Sequence, residues 1–210
     1  MGSFLVQRSA IIIGSLYLTL TDIASFGITM QFIAIIAGLG GIYTATYQPK
    51  ISQLRILNNN NAIKDLYLNG QFVLVLSYVL GGLILLVFGK MALIFIGSQT
   101  SLMSQLFIIF AILISFLEIN HSIAGSILLS KNEVPFFKAS LISGIATVIL
   151  LFLLFEFSDL GAWTMIIAPG LVQGAYQNWK WPAVVHNELR ININDISDAA
   201  HRLINFRQGI

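Results

Sequence analysis

The sequence has no cysteine, only four prolines in 210 residues, and just 10% charged residues. Without cysteine there is neither a disulfide framework nor a thiolate metal site. With charge this sparse no water-facing shell can be built, since a soluble domain carries about 25% charged and about 45–50% apolar residues. Here 57% are hydrophobic and the mean hydropathy is +0.85. The outer surface must therefore be apolar and face lipid. A net charge of +2 is too small to argue for nucleic acid, and no such partner is expected. Phosphate-binding and nucleophilic machinery is missing too. There is no G-x-x-x-x-G-K-[ST] stretch, because Gly89-Lys90 is followed by Met91. No nucleophile–base constellation is visible, so neither enzyme activity nor a cofactor is expected. Glu118-Ile119-Asn120-His121 is a single copy of the Glu-x-x-His that di-iron bundles use in pairs, and a metal is not expected either.

What the sequence has is long apolar runs. A hydrocarbon core of about 30 Å takes about 20 helical residues, whereas a barrel strand needs only about 9–11. Six spans are predicted, at about 4–20, 24–48, 66–88, 102–130, 136–155 and 161–181. Pro49 is expected to stop the second, Pro135 to introduce the fifth, and Pro182 to end the sixth. The fold class is thus an all-α integral membrane protein: a six-helix bundle over 1–182, with short interfacial helices and a cytoplasmic amphipathic tail helix over 183–210. Nine of the eleven Lys and Arg fall between spans two and three, between four and five, or in the tail, and only Lys90 falls in a connection on the other side. The positive-inside bias then makes both termini cytoplasmic. A competing reading takes Arg8 and 9–20 as a signal peptide cleaved near Ala24-Ser25, which would leave five spans. Val6 rules out a myristoylation signal, which needs Ser or Thr there. Two stretches read as lying on the membrane surface. One runs from Pro49 to Leu66. The other is the tail, with Ile196, Ala199, Ala200, Leu203 and Ile204 on one helical face.

Against this background the polar residues inside the spans stand out. Ser115, Glu118, Ser122 and Ser126 recur every three or four residues and form one stripe, flanked by Asn120 and His121. An ionised acid at a helix centre costs about 2.5–3.5 kcal/mol against lipid, so the stripe must face the bundle interior or a wet cavity. Either Glu118 exchanges a proton or coupling cation, or it is neutral or paired with Arg8 and only locks helices together. Arg8, beside Gln7, either snorkels to the interface or turns inward to meet a phosphate. Ala168-Pro169-Gly170 is expected to kink or break span six, with Gln173, Tyr176 or Gln177, and Lys180 continuing on one face. Gln31, Gly38 and Gln48 of span two add weaker polar candidates.

Three segments resemble a known family. GSLYLTLTDIASFGITMQFIAIIAGLGGIYTATYQPKISQL (14–54) is similar to the start of the second half of polysaccharide and lipid-linked-oligosaccharide flippases of the MOP superfamily, which also contains the MATE exporters. LLSKNEVPFFKASLISG (128–144) resembles the next short cytoplasmic connection, and GAWTMIIAPGLVQGAYQNWKWP (161–182) the last helix. The resemblance implies one lobe of a MATE-like fold in the bacterial inner membrane. It further implies alternating access that moves a lipid-linked oligosaccharide, of the undecaprenyl-pyrophosphate type used for polysaccharide and O-antigen, across the bilayer. Family members have about twelve or more spans, so a second membrane half or polysaccharide-assembly proteins become expected partners. Candidate cavity residues are Gln7, Arg8, Gln31, Glu118, Asn120, His121, Ser122, Gln173 and Gln177, with Pro169 and Gly170 as the hinge. The alternatives are a MATE-like exporter of small cations, in which Glu118 is the counter-charge, and a truncated membrane scaffold that transports nothing.

Overall fold

The computed structural model describes residues 2–192, 195 and 197, with side chains described from residue 8 onward. Seven α-helices follow one another: α1 Gly2–Tyr17, α2 Leu20–Ile56, α3 Asn60–Phe95, α4 Gln105–Leu129, α5 Phe137–Phe157, α6 Thr164–Ala175 and α7 Gln177–Leu189. A single 3-10 turn, Gly161–Trp163, precedes α6, and no strand occurs among the described residues. Polar side chains set three of the starts. Thr19, Asn59 and Ser104 accept from the backbone N–H of Asp22, Ala62 and Phe107 respectively, satisfying donors that a helix start leaves orphaned.

Four helices, α2 to α5, are long and apolar enough to cross a membrane. Their outward faces carry large apolar side chains in the open: Leu83 and Val87 on α3, Ile109 and Leu113 on α4, Ile142 and Ile149 on α5. Water would not tolerate so continuous an apolar surface. The chain is a multi-pass membrane protein.

The helices are longer than the spans read from hydropathy. At 1.5 Å per residue the 37 residues of α2 extend about 56 Å, well beyond the hydrocarbon core. Neither Pro49 nor Pro182 ends its helix: α2 continues to Ile56 and α7 to Leu189. A mid-helix proline costs about 3 kcal/mol. Packing beyond each proline offsets it, since Ile51 and Ile63 on one side and Val185 and Leu189 on the other are buried. The stretch from Pro49 to Leu66 is therefore no interfacial helix. It is the projecting ends of α2 and α3 joined by a short turn in which Asn58 takes a positive φ of 53°. The amphipathic face expected at Ile196, Ala199, Ala200, Leu203 and Ile204 lies outside the described residues.

α2 and α3 form one long hairpin, and α1 packs on α5 and α6. α4 lies in the middle and touches α2, α3, α6 and α7. Glycines allow close approaches between helices: a Cβ on Gly40 would come within 2.9 Å of Leu74 Cδ1, and one on Gly170 within 2.8 Å of Ile114 Cδ1. The central position of α4 decides what its polar stripe can meet.

Candidate functional site

Ser115 begins the stripe, its Oγ 2.7 Å from the Tyr78 hydroxyl of α3. One turn on, Glu118 is half-buried, and among the described residues no hydrogen bond or ion pair holds its carboxyl. Pairing with Arg8, one of the alternatives read from the sequence, is not made among the described residues.

Two cavities meet at this residue. The first, about 410 Å³, lies among α1, α2, α4 and α6; Arg8, Gln31, Ser115, Glu118 and Pro169 help to line it. Arg8 and Gln31 are exposed at its edge. The second, about 340 Å³, lies among α4, α5, α6 and α7, and is lined by Glu118, His121, Ser122, Ser126, Gln173 and Gln177 with neighbours that include Trp181. Glu118 and Ile119 line both. The stripe on α4 is thus divided, Ser115 facing one hollow and Ser122 with Ser126 the other.

The chemistry of the two hollows differs. The first contains the only cation of either lining. The second holds hydroxyls, amides and one imidazole with the carboxyl, and some of these groups are anchored by hydrogen bonds. His121 Nδ1 donates to Asn178 Oδ1 at 2.7 Å, which leaves Nε2 as an acceptor. Gln177 Nε2 donates to Ser143 Oγ at 3.1 Å, and its Oε1 accepts from Trp181 Nε1 at 3.1 Å. Gln173, only 4% exposed, has an Oε1 without a protein partner. Buried polar atoms are normally satisfied, so an orphan acceptor at a cavity wall marks a place for a donor.

The helix break that shapes the second cavity is not where proline predicts it. Pro169 and Gly170 sit inside an unbroken α6, and the chain bends at Tyr176, with φ −143° and ψ −57°. Gln173, Gln177 and Trp181, four residues apart, line the cavity, and Lys180 does not. Of the other candidates, Asn120 lines neither cavity, the side chain of Gln7 lies outside the described residues, and Gly38 has open space before it. Gln48 instead donates to the Ser126 carbonyl at 2.9 Å, tying α2 to α4.

A second polar cluster lies at the C-terminal end of α4. Glu188 binds Arg55 Nη1 through Oε1 at 2.7 Å and Lys131 Nζ through Oε2 at 2.6 Å. Arg55 also donates to Ser130 Oγ and Asn60 Oδ1. One carboxylate therefore fastens α7 to the ends of α2 and α4. Glu188 had no reading from the sequence, because it sits beyond the last hydrophobic run and its partners are distant in the chain. Asn178, Ser140 and Trp181 were also missed. The alternation of amides and tryptophans across 173–181 is the signal that could have pointed to them. Comparison with protein-family models, with curated proteins and with solved structures finds no match for this chain.

Proposed function

We propose that the protein is a membrane transporter, one six-span lobe with α1 and the α6–α7 pair completing the four longest helices. Its cargo on this reading is a lipid-linked oligosaccharide of the undecaprenyl-pyrophosphate type, moved across a bacterial inner membrane by alternating access, with both termini cytoplasmic. The observation that carries the reading is that Arg8 and Glu118 line the same 410 Å³ cavity within an apolar bundle. Arg8 offers a planar set of donors to a phosphate, and Gln31 adds an amide beside it. Glu118 supplies a charge that can change when the cargo has left. Exposure of Arg8 and Gln31 at the cavity edge supports a surface completed by something further, a second membrane half or the lipid-linked cargo itself.

The test is complementation of a flippase-deficient strain by this chain alone and with a supplied first half, using wild type, Arg8→Leu and Glu118→Gln. Rescue by wild type and its loss in both variants, at equal membrane levels, is the expected result. Failure of the correctly inserted wild type under both conditions sinks the flippase reading and favours a scaffold. A second reading, export of small organic cations, is favoured by one observation: the 340 Å³ cavity has acceptors and Trp181 but no cation in its lining.

A further inference from the structure

The two cavities are distributed along α4 in opposite directions from Glu118. The cavity with Arg8 takes residues 111 to 119 of α4, the other takes 118 to 129. Together they cover about 27 Å of helix rise, close to the thickness of a hydrocarbon core. Their remaining walls agree: Phe26 to Ala37 from the first half of α2 line one, whereas Phe136 and Ser140 from the start of α5 line the other. The first half of α2 and the start of α5 lie toward opposite ends of the bundle, because α2 is followed by two further lengthwise passes, α3 and α4, before α5 begins. Only Glu118 and Ile119 belong to both cavities, and Glu118 alone of the two carries an ionisable group.

From this geometry we infer that Glu118 is a proton-exchange site reached through two separate vestibules, one from each face of the membrane. The vestibule on the Lys131 side is a polar groove in which Ser122, Ser126, Ser140, Gln173 and the imidazole of His121 can carry water to the carboxyl. The opposite vestibule is more apolar, with Arg8 and Gln31 as the polar side chains of its α1 and α2 walls. The charged or titratable groups around Glu118 are Arg8 from α1, Tyr78 from α3 through Ser115, and His121 on α4 itself. Among the described residues α2, α5, α6 and α7 bring no ionisable side chain to either lining. A lone carboxyl with a single orphan amide oxygen nearby is a poor cage for a metal ion, which takes several oxygen ligands, and a good station for a proton. The inference does not depend on the cargo, and so stands or falls separately from the flippase reading.

The absence of cysteine makes the test direct. Ser122→Cys and Ser126→Cys probe one vestibule, Gln31→Cys and Ala34→Cys the other. Each is treated with a membrane-impermeant, positively charged methanethiosulfonate in intact cells and in inverted vesicles. The first pair should react at least tenfold faster from the Lys131 side, and the second pair at least tenfold faster from the opposite side. In parallel, a hydrophobic carbodiimide should modify Glu118 in the full-length protein, found by peptide mass spectrometry, increasingly as pH falls and not at all in Glu118→Gln. Reaction of both pairs from one side, equal reaction from both sides, or none at any of the four positions would overturn the two-vestibule arrangement. A Glu118 adduct that is missing, or indifferent to pH, would overturn the proton assignment.

Discussion

The protein has two carboxylates at the meeting points of helices, and they are handled in opposite ways. Glu188 is surrounded by cations and hydrogen-bond partners, with both oxygens engaged at 2.6–2.7 Å. Glu118, about 17 Å of helical rise before the end of α4 at Leu129, is half-buried with no partner among the described residues. The first arrangement holds one state together: removing either sign of charge leaves the other stranded. The second leaves a carboxyl unpaired on the walls of two cavities and so suits a group that changes state. Pairing marks structure here, and its absence at a cavity marks a place for chemistry.

The sharpest way to break the comparison is to truncate Glu188. Glu188→Ala should cost about 3 kcal/mol, the lower end for a broken buried pair, because the three side chains keep 15–35% exposure. Thermal denaturation of the purified protein in detergent should show the loss, and Arg55→Ala combined with it should be clearly less than additive. Glu118→Gln should change stability by no more than about 1 kcal/mol while abolishing the proposed transport in the complementation test, since no partner is stranded. A destabilisation as large as that of Glu188→Ala would make the two acids equivalent and remove the distinction. Gln173→Leu should stabilise the protein by about 1 kcal/mol, because it removes an orphan buried oxygen. A lower melting temperature would instead reveal a donor bound there.

The smallest effect is at His186, on α7 near Glu188, packed edge-on against the Tyr67 ring at 5.8 Å. Burial pushes its pKa below the usual histidine value of 6.5. The unfolded chain then binds the extra proton first, so stability is present above about pH 6.5 and declines as pH falls through that value toward the folded pKa. Melting temperature followed from pH 7.5 to 5 should show a decline that His186→Gln reduces.

Composition and hydropathy determined that this chain lives in a membrane as a helical protein, because 57% hydrophobic residues with 10% charged leave no other surface to present. Periodicity determined that Ser115, Glu118, Ser122 and Ser126 share a face of α4, since that depends only on 3.6 residues per turn. Helix ends were less readable. Pro49 and Pro182 look like stops locally, yet Ile51 and Val185 bury beyond them, while the real break at Tyr176 carries no proline or glycine of its own. Glu188 meets Arg55, 133 residues away, a contact to which no local pattern points. Only the tertiary structure decided that the stripe splits between two hollows and that Glu118 stands at their junction. A helix face is set by the chain's own geometry, but what lies opposite that face depends on which neighbours pack there: α1 and α2 on one side of Glu118, α5 and α7 on the other.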